Sequence, residues 1–293
     1  MVGSKDLPPS IAPFFPNIFL RNQFRTNGLG LEAASRLLSH RLSHLNLAVR
    51  SLAKGHEVAH KLQTHHPHAL IEVWQLDMAS YPSIQAFARR VETDLPRLDL
   101  VLLNAGLRST EFRNVSDTGH EEVIQFNYLP YLSIALLALP SLKAKSPLGT
   151  PRRLTTLNAA LALTAKLATH GQRPLLPSFD SSDLLDMSEE YCTSKLFGHM
   201  FLWKLADCAT ELARGLGWGV WIGYILSSAV AARSLEFGVS TLVDAVFVLS
   251  YEIHPFNSIH YTAEGRDAID ALWEETLDEF AFANVQGILE STK

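Results

Sequence analysis

The chain has 293 residues, 47% of them hydrophobic, enough apolar material to bury one large α/β core. A formal net charge of -5 without basic runs leaves no electrostatic footprint for nucleic acid or an anionic membrane. Two cysteines, Cys192 and Cys208, are too few for a secreted disulfide framework; they fall in one predicted helix as reduced thiols, so a cytoplasmic protein is expected.

Residues 1–17 read as a proline-rich lead-in, without the basic cluster and apolar run of a signal peptide. Residues 18–293 are expected to form a single domain. Short apolar runs alternate with helical patterns along it. The runs are "NIFLRNQ", the weakest of them, then "HLNLAVRS", "ALIEVWQLD", "LDLVLLNAG", "RRLTTLNA", "VWIGYIL" and a last short "SIHYT". Between them lie "GLEAASRLLSHR", "AKGHEVAHKLQTH", "YPSIQAFARRVETDL", "GHEEVIQFNYLPYLSIALLALPSLK" and "SEEYCTSKLFGHMFLWKLADCATELARGL". This alternation predicts an α/β fold, a Rossmann-like doubly wound parallel sheet flanked by helices in three layers. No run reaches the ~18 to 20 apolar residues of a membrane span. Segment 160–186 is long for a plain connection and is expected to shape a substrate entrance. The C-terminal "GRDAIDALWEETLDEFAFANVQGILES" reads as one strong helical pattern and is expected to cap the fold.

Several polar residues invite a reading and receive a bland one. His65, His66 and His68 lack acidic or cysteine partners at ligand spacing, so no metal is expected. Asp180, Asp183 and Asp186 read as helix caps or exposed carboxylates, and Trp203, Trp218 and Trp221 as core or pocket lining.

The chemistry is distributed. "FRTNGLGLEAA" carries Gly28 and Gly30 where a phosphate-cradling turn opens a helix, but Phe24 stands where that turn's first glycine is expected. Asn104, Ala105 and Gly106 end an apolar strand, and Asn127 lies in the helix after it. "YCTSK" puts Tyr191 and Lys195 one turn apart on a single helical face. Each is weak alone, yet their order and context are specific.

Together they resemble the short-chain dehydrogenase/reductase family, in particular carbonyl-reducing members of sterol, retinoid and fungal secondary metabolism, over roughly residues 18 to 275. The resemblance implies NADP(H) held by Gly28, Gly30, Arg50, Asp77, Met78, Asn104, Ala105 and Gly106. In it Arg50 meets the 2′-phosphate, Asp77 and Met78 the adenine, and the Asn-Ala-Gly segment the adenosine ribose. It further implies that Tyr191 exchanges a proton with the substrate carbonyl. Lys195 lowers the phenol's pKa and binds the nicotinamide ribose, while Asn127 holds a water on the proton path. A small-molecule substrate follows, and a homodimer through the helices after the fourth and fifth strands is the partner suggested.

Three departures stand against it. Ala159 falls at the position of the family's catalytic serine, and losing such a donor costs on the order of 10² to 10³ in rate; Asn158 and Thr156 are the candidate substitutes. Ser227-Ser228 replaces a Pro-Gly after the sixth strand, and Phe24 intrudes on the phosphate turn. Beside the redox reading stands an alternative, a redox-silent enzyme of this fold catalysing isomerisation, dehydration or cyclisation, with an inactive scaffold third.

Overall fold

The computed structural model describes residues 17–21, 28–146, 153–167, 169, 171–181, 186–213, 221–227 and 257–292. Phe24, Ser228, Asp183 and Trp218 lie outside the described residues. Six strands, β1 (Asn17–Arg21), β2 (His44–Val49), β3 (Leu70–Gln75), β4 (Leu100–Leu103), β5 (Arg153–Ala159) and β6 (Trp221–Ser227), form one sheet in the order β3-β2-β1-β4-β5-β6. Every pairing is parallel. Right-handed crossovers then place α1 (Leu29–Ser39) and α2 (Leu52–His65) on one face, packed on Leu45, Leu47, Leu100 and Leu102. The other face takes α3 (Tyr81–Asp94) and α5 (Leu129–Lys145), packed on Ala48, Trp74, Val101, Leu103 and Leu154. Because both faces are covered, β4 reads as an unbroken apolar run, LVLL, with all four residues buried.

The strand "NIFLR", weak as a sequence signal, is the sheet's centre: it pairs with β2 on one side and β4 on the other. The order reverses there, so a crevice opens at the carboxyl ends of β1 and β4, where doubly wound sheets bind ligands. Residues after β4, β5 and β2 converge on that edge.

Three expectations are corrected. The helix expected over "EEVIQFNYLPYLSIALLALPSLK" is two: α4 (Glu122–Asn127) stops at Tyr128, whose φ of -120° and ψ of -71° leave the helical region, and α5 restarts at Leu129. Pro130 lacks the amide N–H that a continuous helix would use. The stretch Glu122–Lys145 has the length and hydropathy of a membrane span, but 89% of its most apolar window is buried inside the molecule. "SIHYT" is not a strand but a 3-10 turn, Ser258–Tyr261. The Asn257 carboxamide decides this, accepting from Ile259 N at 3.0 Å and donating to Ala162, Leu163 and Ala165 carbonyls. The single helix expected over "GRDAIDALWEETLDEFAFANVQGILES" is also two: α7 (Ala263–Glu279), capped by Thr262, and α8 (Val285–Thr292), separated by a 3-10 turn, Ala281–Ala283, and by Asn284 in the left-handed region at φ 50°.

Candidate active site

The helix α6 (Met187–Ala213) carries both cysteines and the Tyr191/Lys195 pair. Its first turn is capped by Asp186, whose carboxylate accepts from Ser188 N at 2.9 Å, as expected of that aspartate. The 3.6-residue period stacks Tyr191 and Lys195 on one face, and Lys195 Nζ lies 5.7 Å from the Tyr191 ring centroid.

Lys195 is 6% exposed, and its ammonium has no acid or hydrogen-bond acceptor among the described residues. Burial pulls its pKa down to about 8. Around it sit the ring of Tyr131, 5.8 Å away, and the backbone of Gly106. A methyl group on Gly106 would come within 3.1 Å of Lys195 Nζ and 3.5 Å of Asn127 Oδ1. Glycine therefore lets the strand-end backbone lie close to the ammonium.

Asn127 fixes that backbone. Its Oδ1 accepts from Leu107 N at 2.7 Å, and its Nδ2 donates to Leu107 O at 2.8 Å and Ser194 Oγ at 3.0 Å. Both amide donors and one lone pair are thus committed to protein partners, which leaves only acceptor capacity for a water. Ser194, unnoticed in the sequence, donates in turn to Tyr191 O at 2.8 Å. Loop and helix are tied into one unit.

Burial is the largest influence on the Tyr191 phenol and raises its pKa; the guanidinium of Arg108, 5.7 Å from the ring centroid, is the cation that opposes this. The depression expected from Lys195 is thus not the net direction. A lone arginine in "NAGLRST" gave no sequence signal.

At the end of β5 the candidate substitutes for the serine resolve differently. Asn158 donates to Lys195 O at 2.9 Å and accepts from Ala159 N at 2.8 Å, so its amide braces α6. Thr156 Oγ1 is buried without a hydrogen-bond partner among the described residues.

The remaining residues of the expected cofactor set lie along the same edge. Gly28 is the N-cap of α1, with Gly30 buried in its first turn. Arg50 is exposed directly after β2. Asp77 is held by Ser83 Oγ on its N–H at 2.9 Å, and its own carboxylate accepts from Ala79 N at 3.0 Å. Met78 buries its side chain in the core, 1% exposed, so only backbone remains to it for a ligand. Asn104 is half-buried, Ala105 buried and Gly106 exposed.

Behind Tyr191 lies a polar cluster that the sequence hid. Glu190 (1% exposed) and Glu121 (0%) are buried near each other, Glu121 also accepting the first amides of α4 from Val123 and Ile124. His120 bridges Asp180, at 3.1 Å, and Glu279, at 3.5 Å. Asp180, expected to be a cap or exposed, instead also accepts from Glu121 N at 2.9 Å. Trp203, expected inside, is 37% exposed beside the His260 ring at 5.4 Å.

The cluster has a pH signature. Hydrogen bonds to the carboxylates of Asp180 and Glu279 raise His120 from 6.5 to about 9; burial and then Glu121 raise Glu190 from 4.5 to about 9. The folded chain therefore holds two protons that the unfolded chain releases near 6.5 and 4.5. The His120 stabilisation is complete below pH 6.5 and is lost as pH rises through 9, and Glu190 lowers stability across its own window. Between pH 6.5 and 8 both act alike, and the melting temperature is expected to fall with rising pH. His120→Gln should reduce that slope. A melting curve flat over this range would show that the two groups titrate normally.

A 3-2-1-4-5-6 parallel sheet with a Tyr-x-x-x-Lys helix at its carboxyl edge defines the class, a Rossmann-type α/β oxidoreductase. The family pattern for short chain dehydrogenases matches residues 25–149, beginning one residue after Phe24. The short chain dehydrogenase/reductase mfmJ of Annulohypoxylon moriforme is 47% identical over 342 aligned positions, spanning 100% of this chain and 99% of that one. The short chain dehydrogenase virL of Hypocrea virens is 34% identical, over 91% and 86% of the two chains. The chain belongs to the short-chain dehydrogenase/reductase family. Solved structures share the fold: the bulky-bulky ketone specific alcohol dehydrogenase of Comamonas testosteroni has a TM-score of 0.56 at 15% identity, covering 90% of this chain and 94% of that one. A short-chain dehydrogenase from Sphingobium yanoikuyae in complex with NADPH has a TM-score of 0.53 at 18% identity, covering 79% and 83%.

Proposed function

We propose that this chain is an NADP(H)-dependent oxidoreductase that reduces a carbonyl of an apolar small molecule of fungal secondary metabolism. The observation that carries the reading is Lys195. A buried ammonium with no counter-ion among the described residues is costly to fold around, and such groups cluster where a ligand uses them. Its neighbour is Gly106, whose missing side chain lets the strand-end backbone approach the ammonium closely. The fit to a nicotinamide ribose is therefore good on this chain's own geometry.

In this reading Gly28 and Gly30 hold the pyrophosphate at the start of α1, Arg50 the 2′-phosphate, Asp77 and Met78 the adenine, and Asn104, Ala105 and Gly106 the adenosine ribose. Lys195 binds the nicotinamide ribose. NADPH, when bound, supplies the hydride. Tyr191 gives the carbonyl oxygen its proton; a phenol raised by burial stays protonated at neutral pH, as reduction requires. Asn127, held by Leu107 and Ser194, keeps the loop and α6 in register and anchors a water through its remaining acceptor capacity. The described parts of segment 160–186, mainly residues 160–167 and 171–181, are read as lining the substrate entrance.

The redox-silent alternative keeps one observation in its favour: Ala159 has no hydroxyl, and the Asn158 amide is committed elsewhere. Titration with NADPH, followed by nicotinamide fluorescence, separates the two. Saturable binding at micromolar cofactor is expected, and Gly106→Ala should weaken it by about tenfold by crowding Lys195. Absence of binding at millimolar NADPH would remove the redox reading. Substrate conversion without change in nicotinamide absorbance would establish the alternative.

A further inference from the structure

Arg108 is exposed, yet it is not placed as an ordinary surface arginine. The residue before it is clamped in both directions by Asn127, so the backbone that carries it is fixed relative to α4 and α6. Its guanidinium lies over the Tyr191 ring with Cζ 5.7 Å from the centroid. No carboxylate among the described residues pairs with it. Its planar fork of N–H donors matches a carboxylate in two-point geometry.

Apolar surface lies on the same stretch of helix. The 3-10 turn after β5, Ala160–Leu163, packs on α6, and the Thr164 hydroxyl contacts Cys192 Sγ at 3.9 Å, one residue past Tyr191. That turn exposes Leu161 (43%) and Leu163 (36%) rather than burying them. A cation over the Tyr191 ring and an aliphatic patch on the turn packed against α6 thus share one stretch of that helix. At the last two positions of β5, Ala159 carries only a methyl group and the Asn158 amide is engaged.

We propose that Arg108 is the substrate-selecting cation of this pocket, and that the substrate is an amphipathic carboxylate whose apolar body lies on Leu161 and Leu163 while its anionic end is held by the guanidinium. The inference rests on the reading of Tyr191 as the reacting group, because that reading makes this corner the substrate site.

Calorimetric titration with naphthoate and with its neutral isostere naphthamide, in the presence and absence of NADPH, tests it. The wild type should favour naphthoate by about tenfold, the scale of one charge-assisted hydrogen bond. Arg108→Ala should erase the preference with naphthamide binding unchanged, and Arg108→Lys should keep part of it. Tyr191→Phe should keep the preference whole. No preference in the wild type, no binding of naphthoate at millimolar concentration, or a preference that survives Arg108→Ala would overturn the proposal. Failure of the redox reading registers separately, as absent NADPH binding alongside an intact Arg108-dependent preference.

Discussion

Tyr191→Phe is expected to lower the rate of carbonyl reduction by about 10³, within the range of general acid catalysis, while NADPH binding and melting temperature stay near those of the wild type. The phenol sits on α6 beneath a guanidinium and beside a buried ammonium, and burial keeps it protonated at neutral pH. Removing the hydroxyl deletes the proton donor and leaves the ring, so packing against the helix is preserved. The hydroxyl makes no hydrogen bond among the described residues that folding would miss. Single-turnover reduction by preloaded NADPH, read as loss of nicotinamide absorbance, measures the step directly. Retention of a tenth or more of the wild-type rate would assign the proton to another group, and Thr156, with its buried hydroxyl unpartnered, would be the next to test.

The parts of this site that follow from short-range pattern were legible in the sequence. Tyr191 and Lys195 share a helical face because the period of the helix puts them there, and β4 declares itself by an unbroken apolar run buried on both sides. The strand "NIFLR" was faint because its ends are polar, although two neighbours pair with it along its length. What stayed hidden depends on burial across long separations. Nothing local marks Glu190 and Glu121 as a buried acid pair, and His120 reaches Asp180 and Glu279 only because α4, α7 and the segment before α6 meet. "SIHYT" alternated as a strand does, and lost to one asparagine that could satisfy three carbonyls. Arg108 matters through its position over a ring, which composition cannot express. The helical spacing makes Lys195 the expected tuner of Tyr191, but burial weighs more heavily on the phenol, and also on the lysine itself.

That burial makes Lys195→Met the sharpest separation of stability from function. The folded lysine has its pKa lowered from 10.5 to about 8, so the unfolded chain binds a proton between those values that the folded chain does not. Stability therefore rises with pH across this window, and at pH 7 the folded state carries a deficit of about 3 kcal/mol from holding the charge. Methionine matches the length of the stem without the charge, so the variant is expected to be more stable than the wild type at pH 7, by about 1 to 3 kcal/mol after the loss of solvation is offset by packing. The gain should shrink as pH rises towards 10, where the wild-type lysine is neutral in the folded state. NADPH affinity should fall at least tenfold over the same substitution, because the ammonium is the cation facing Gly106 and no other described lysine or arginine occupies that place. Denaturant melts at pH 7 and pH 10, set beside cofactor titrations, measure both halves. A variant less stable at pH 7 would mean that the ammonium is compensated within the protein, and the case for a ligand at Lys195 would go with it.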